Sequence, residues 1–318
     1  MDLIAALIVH SVQVILVVAL APLFTGMVRK TKARFQYRRG PSVLQPYRDL
    51  IRLFRKEVVL ADNASWLFTV APTVIFAFTW VAAVLVPTFT FDTGLGSAAD
   101  FIVIIGLLAS ARFTLALAGL DIGTSFGGIG ASREMMISSV AEPALLMLIF
   151  ALALIGGTTR LPDIAAFVQS GAVGLNISLG LAFFGLIMIA IAENGRIPLD
   201  NPATHLELTM VHEAMVLEYS GRQLALIELA GSVKLMLYVS LIGALFIPWG
   251  IAPAGSDIGH YAAAIAFFFA KLLAAAVMLG FFEMTVAKMR VFRVPQFIGA
   301  ALMLALLATL LRLVSESF

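Results

Sequence analysis

Long apolar stretches alternate with short polar ones along this chain, and eight of the apolar stretches run to roughly 18 residues or more. Runs of that length cross the hydrocarbon core of a bilayer as helices. They fall at about 3–28, 67–90, 101–120, 135–156, 175–193, 223–246, 261–283 and 295–314. No linker, low-complexity tract or internal repeat interrupts them. The pattern therefore predicts one integral membrane domain over 1–318, all-α in class. The first run has no basic segment before it and is too long for the apolar part of a cleavable signal, so it is expected to stay as a span. A shorter segment, QPYRDLIRLFRKEVVL, sets Tyr47, Leu50, Ile51 and Phe54 on one helical face and most of Arg48, Arg52, Arg55 and Lys56 on the other. It is too short and too charged to span, and is predicted to lie flat as an amphipathic surface helix.

Composition agrees with this pattern. The chain is 61% hydrophobic and 13% charged, against roughly 25% charged residues in soluble domains. It has no cysteine, which excludes disulfides, thiolate zinc sites and iron–sulfur clusters held by this chain. Lysine and arginine are unevenly placed. The loop 29–56 carries ten of the 21, and Arg133, Arg196, Arg222, Lys288, Arg290 and Arg293 fall in the loops on the same side. The alternate loops hold Arg160 and little else. This asymmetry predicts that the basic loops face the cytoplasm and that both termini lie on the outer, periplasmic side of the cell's inner membrane.

Several ionisable residues fall inside the apolar runs or at their ends: Arg112, Glu142, Glu193, Glu228, Lys234, Lys271 and Glu283. Each would cost about 2.5–3.5 kcal/mol at the bilayer centre, so together they must face the bundle interior, a water-filled cavity or another subunit. One reading makes them structural ion pairs, Arg112 with Asp121 or Glu142 and Lys234 with Glu228. The other makes them a hydrated acid–base chain that conducts protons, since neighbouring like charges bring carboxylates towards neutral pKa values.

The densest stretch is AENGRIPLDNPATHLELTMVHEAMVLEYSG, with Glu193, Asp200, Glu207, Glu213, Glu218, His205, His212 and Arg196. Pro198 and Pro202 break the helix there, and the chain is expected to resume helix from Ala203. His212-Glu213 lacks the second histidine of a zinc motif because Val216 takes its place, so no metal site is expected. The two histidines are read as hydrogen-bonded structural groups. FGGIGASRE lacks the ending of a phosphate loop and is expected to be a flexible turn, with Ser132 capping the fourth span. In YRRGPSVLQPY, the Gly40-Pro41 turn presents Arg38 and Arg39 beside the surface helix.

Taken together, RRGPSVLQPY, GASRE followed by AEP, and AENGRIPLD followed by LEYSG resemble a known family. It is the membrane-arm subunit of respiratory complex I that docks the peripheral electron-transfer arm (NADH dehydrogenase subunit 1), with its relatives in group 4 membrane-bound nickel–iron hydrogenases. The resemblance covers essentially the whole chain. Glu193, Arg196, Pro198 and Asp200 match the motif E-x-x-R-x-P-x-D, Glu142 matches the acid of the fourth span, and Glu218-Tyr219 matches a late E-Y pair. After Asp200 the chain departs from the repeated glutamates of the complex I form and is more similar to the formate hydrogenlyase and hydrogenase-4 branch.

The resemblance implies a subunit without catalysis of its own. It would anchor the soluble arm and link its redox reaction to proton or sodium ion movement. Glu142, Glu193, Asp200, Glu207, Glu213, Glu218, Glu228, Lys234 and Glu283 would form the coupling relay. Arg38, Arg39, Gly40, Pro41, Arg133 and Arg196 would serve docking. No cofactor is expected on this chain; a nickel–iron centre and iron–sulfur clusters would sit in partners. Those partners would be hydrogenase-like large and small soluble subunits, an iron–sulfur subunit and antiporter-like membrane subunits, with lipid around them and no nucleic acid. Rival readings are a complex I subunit contributing a quinone site, the same subunit in a related complex without hydrogenase chemistry, a freestanding transporter and a passive anchor.

The absence of native cysteine allows a direct test of orientation. Single cysteines at Ser42 and Ser256 should be labelled by an impermeant thiol reagent from opposite faces of the membrane; labelling from one face would rule out the eight-span topology.

Overall fold

The computed structural model of the chain describes residues 3–91, 98–171, 176–200, 211–253, 255–290 and 293–317. Among these, each of the eight expected runs forms a single helix. Seven are long and apolar enough to cross a membrane: α1 (Leu3–Phe35), α3 (Trp66–Val84), α4 (Phe101–Asp121), α5 (Ser125–Gly156), α9 (Gly221–Phe246), α10 (Ile258–Thr285) and α11 (Val294–Ser317). The eighth, α7 (Ile177–Glu193), has 17 residues, the short end of the spanning range of about 17–25. The surface helix is α2 (Gln45–Phe54). One short helix was not foreseen, α6 (Leu161–Gln169). The five-residue α8 (His212–Val216) falls within the helix expected from Ala203; the first part of that helix, with His205 and Glu207, lies outside the described residues.

Polar side chains start these helices where the sequence turns apolar. Ser65 Oγ accepts from Leu67 N at 3.1 Å, Asp100 Oδ1 from Ile102 N at 2.8 Å, Thr124 Oγ1 from Gly127 N at 3.2 Å and Asn176 Oδ1 from Ser178 N at 3.0 Å. Each satisfies an amide that the helix itself cannot. The Thr124 cap corrects the sequence reading. FGGIGASRE is the first two turns of α5, not a flexible turn, and Ser132 donates to Ile129 O at 3.0 Å instead of capping. The glycines there are a packing surface. A Cβ on Gly127 would lie 2.2 Å from Gly119 O, and one on Gly130 would lie 2.9 Å from Met215 Cγ. Their bare backbone lets α4 and α8 close on α5, and this contact outweighs the weak helix propensity of glycine.

Helix α9 sits centrally, against α1, α3 and α7, with α2 laid across it. Helix α3 packs on α4, α4 on α5, α5 on α7 and α11, and α10 on α1. Helices α1 and α5, at 33 and 32 residues, are about 50 Å long, well beyond a hydrocarbon core of about 30 Å. Their charged ends therefore stand above the membrane on the side of the basic loops, hereafter the basic end. The opposite end is closed by α6 and by two isolated bridges, Thr90 with Ala252 and Asp100 with Arg160.

At the basic end, Tyr219-Ser220-Gly221 forms a clamp. The Tyr219 ring stacks on Phe68 with centroids 3.9 Å apart, and its hydroxyl donates to Phe68 O at 3.1 Å. Ser220 Oγ accepts from Val59 N and donates to Val59 O, both at 2.8 Å. Gly221 adopts φ +51°, and a Cβ there would lie 2.4 Å from Glu57 O. The LEYSG motif thus pins the segment that follows the surface helix.

Gly221→Ala adds a left-handed penalty of about 1–2 kcal/mol to a backbone collision. Gly123, at φ +70° with open space around its Cβ position, carries only the conformational part. The melting temperature in detergent should therefore fall further for Gly221→Ala than for Gly123→Ala.

Candidate functional site

The walls of one cavity of about 590 Å³ are built at the basic end from α1, α5, α7, α8, α9, α10 and the loop at Pro41. Each wall contributes charge. The long α1 brings Arg29 and Lys32, α5 brings Arg133 and Glu134, α7 ends in Glu193, α9 offers Glu228 and Lys234, and α10 offers Glu283. Arg196 and Asp200, on either side of Pro198, close one side together with His212 and Glu213.

The ions are arranged in three groups. At the rim, Glu283 is buried and accepts from Lys32 Nζ at 3.0 Å and from Arg196 Nη1 at 3.2 Å. Beside it, Lys288 Nζ donates to Asp200 Oδ1 at 2.8 Å. Deeper, Glu193 is 7% exposed and meets two cations, Arg112 Nη2 at 2.5 Å and Lys234 Nζ at 3.1 Å. Arg112, itself buried, turns its other nitrogens towards Glu142 at 3.5 Å and Glu134 at 3.8 Å. The Tyr238 hydroxyl, in the same interior, has no hydrogen-bond partner among the described residues. Isolated charges in such surroundings would be prohibitive, and pairing across helices is what makes them tolerable.

Two expected pairings do not occur, for a geometric reason. Lys234 and Glu228 are six positions apart on α9, about 120° round the axis, so they cannot meet. Arg112 and Asp121 are nine apart on α4, on opposite faces. Lys234 pairs instead with Glu193, and Asp121 accepts from Ser65 N at 3.0 Å. The Arg112–Glu142 pair is present.

Of the residues singled out from the sequence, Glu193, Asp200, Glu213, Glu228, Lys234, Glu283, Arg133, Arg196 and Pro41 line the cavity. Glu142 reaches the same network from beneath, through Arg112. Arg38, Arg39 and Gly40 lie on an exposed turn next to it, where Gly40 takes φ +63° and Lys30 Nζ donates to Arg39 O at 2.7 Å. Glu218 does not line the cavity: it is exposed, while its neighbour Tyr219 is buried. Glu207 lies outside the described residues.

The sequence reading singled out Arg112 at membrane depth without placing it among the coupling residues, and it left Glu134, Lys32 and Lys288 out of the site. Glu134 had a usable signal, since it stands eight positions before Glu142 and so within about 80° of it round α5. Lys32 and Lys288 had none, because basic residues past the end of a span look like topology signals. Burial pushes the His212 imidazole below its usual value, and Lys234 acts in the same direction against Glu134 and Asp200. It is therefore held neutral near pH 7. Burial, with Asp121 adding to it, drives the Tyr219 phenol upwards, so that hydroxyl stays a donor.

Such a cavity is large enough to hold water, and its walls carry carboxylates as well as cations.

The family model described as NADH dehydrogenase matches residues 7–314. Formate hydrogenlyase subunit 4 of Escherichia coli (strain K12) is 32% identical over 297 residues, covering 93% of this chain and 95% of that protein. Hydrogenase-4 component C of the same organism is 37% identical over 242 residues, 76% of this chain and 75% of that one. A chain of the membrane-bound sulfane sulfur reductase, an archaeal respiratory membrane complex, shares the fold with a TM-score of 0.83 at 18% identity, over 97% of this chain and 99% of that one. With eight apolar helices around a charged interior and a family match from end to end, the chain belongs to the NADH dehydrogenase family of complex I subunit 1-like membrane proteins.

Proposed function

We propose that this chain is the membrane-anchor and coupling subunit of a formate hydrogenlyase-like, group 4 hydrogenase complex. It docks a soluble electron-transfer arm at the basic end and links redox chemistry there to proton or sodium ion translocation. The observation that carries this reading is the charge count of the deep cluster. Three carboxylates, Glu193, Glu134 and Glu142, surround two cations, Arg112 and Lys234. One negative charge is thus left over in the cluster, and the cavity above gives a compensating ion a route from the basic end. In this reading the basic end faces the cytoplasm, following the distribution of lysine and arginine.

The partners follow from the relatives. Formate hydrogenlyase subunit 4 and hydrogenase-4 component C are by name parts of larger complexes. The partners proposed here are hydrogenase-like large and small subunits and an iron–sulfur subunit on the Arg38–Arg39 turn, with antiporter-like subunits in the membrane. The redox centres, nickel–iron and iron–sulfur, belong to those partners. A quinone site in the same cavity is less well supported, because ion pairs on its walls suit water and ions better than a prenylated ring.

Exposure of the two deep acids separates coupling from structure. The Glu142 side chain is 38% exposed, whereas that of Glu193 is 1% exposed and bridges two cations. Glu142→Gln should leave complex yield and melting temperature unchanged and lower ion uptake in proteoliposomes several-fold. Normal uptake would sink the relay role of Glu142. Glu193→Gln strands Arg112 and Lys234, a loss of about 3–5 kcal/mol for a broken buried pair, and should lower yield and melting temperature. Adding Lys234→Met should recover part of that stability without restoring uptake.

Docking is checked separately. Arg38→Ala with Arg39→Ala should release most of the soluble subunits from washed membranes while the membrane subunits stay together; a fully assembled, fully active complex would refute the docking role of the turn.

A further inference from the structure

We infer that Lys271 marks the docking face for a membrane-spanning helix of another subunit that carries a carboxylate at the same depth. This rests on the reading that the chain works inside a multi-subunit membrane complex. Lys271 lies near the middle of the 28-residue α10, about 20 Å from either end. It takes no part in the ion network at the basic end, and no hydrogen bond or ion pair holds it among the described residues. Its stem passes Gly243 of α9, where a Cβ would lie 4.0 Å from Lys271 Cδ.

A lone ammonium at that depth is expensive, and the headgroups are farther than a lysine stem reaches. An anionic lipid is therefore a poor occupant, and a protein carboxylate is the complementary charge that survives in hydrocarbon when paired. The surrounding surface suits a helix. Helix α10 is the least buried of the spanning helices, with its inner face on α1. Beside Lys271, the exposed face carries Ala262, Ala266, Ala270 and Ala274, one per turn. A row of small residues lets a second backbone approach closely, so that van der Waals contact replaces lipid. Phe267, Leu273 and Met278 flank that row and are more than half exposed on this chain.

The test uses the purified, assembled complex. Dicyclohexylcarbodiimide activates carboxylates in apolar surroundings. The Lys271 amine, if paired, attacks the activated acid to form an amide, and the carbodiimide leaves as its urea. Peptide mass spectrometry should find Lys271 joined to an aspartate or glutamate within an apolar segment of a different subunit, and Lys271→Arg should abolish that product. In parallel, Lys271→Met should reduce recovery of the cross-linked subunit several-fold, and Lys271→Arg should keep it. An intact complex with no Lys271 cross-link and full subunit recovery in Lys271→Met overturns the inference and leaves lipid as the occupant. A cross-link confined to this chain also overturns it. A chain that purifies without any other membrane subunit removes the proposed function itself, a result distinct from either.

Discussion

One buried carboxylate organises the interior of this protein. Glu193, at the end of α7, is flanked by Arg112 from α4 and Lys234 from α9, and Arg112 in turn reaches Glu134 and Glu142 on α5. Four helices therefore depend on one hub. In a bilayer there is little hydrophobic force between helices, because lipid is as apolar as leucine, and association rests on packing and polar contacts. Here the polar contacts are ionic, and removing the hub leaves two cations in a place where water reaches them poorly. Under the proposed coupling role, stability and ion transfer draw on the same cluster, and the more exposed Glu142 is better suited to transfer than the more buried Glu193.

The basic end connects that hub to the outside. The chain leaves Glu193, turns at Gly195, and brings Arg196 to Glu283 and Asp200 to Lys288. It re-enters through α8, which lies in the hollow left by the glycines of α4 and α5. It then meets the segment behind the surface helix, where Tyr219 and Ser220 hold Phe68 and Val59. A push on the surface helix or the Arg38–Arg39 turn has a short covalent and hydrogen-bonded path to the cavity wall. Under the docking proposed above, that continuity gives a soluble arm physical leverage on the charged groups.

The same fold is present in a respiratory membrane chain at 18% identity. The membrane helps explain this tolerance. Lipid-facing and core positions need only be apolar and of suitable size, so many sequences satisfy them, and satisfied backbone hydrogen bonding restricts spans to helices. Identity of residues matters where charge is buried or where backbones touch.

The amino-acid sequence alone determined the eight apolar helices, because a span is a local property: about 20 apolar residues suffice, whatever surrounds them. It also located the amphipathic α2 and the concentration of acids between Glu193 and Glu218. It did not determine which charge meets which. Residues such as Arg112, Lys234 and Glu193 are far apart in the chain, and their contact is set by how α4, α7 and α9 rotate against one another. Lys32 and Lys288 were read as topology signals because nothing local separates a basic residue facing water from one folded back onto Glu283 or Asp200. The glycines of FGGIGASRE read as a loop because helix propensity is local, whereas their use, contact with Met215 and the α4 backbone, exists only once the helices have packed. Tertiary structure decided these matters because ion pairing and close approach depend on distance in space.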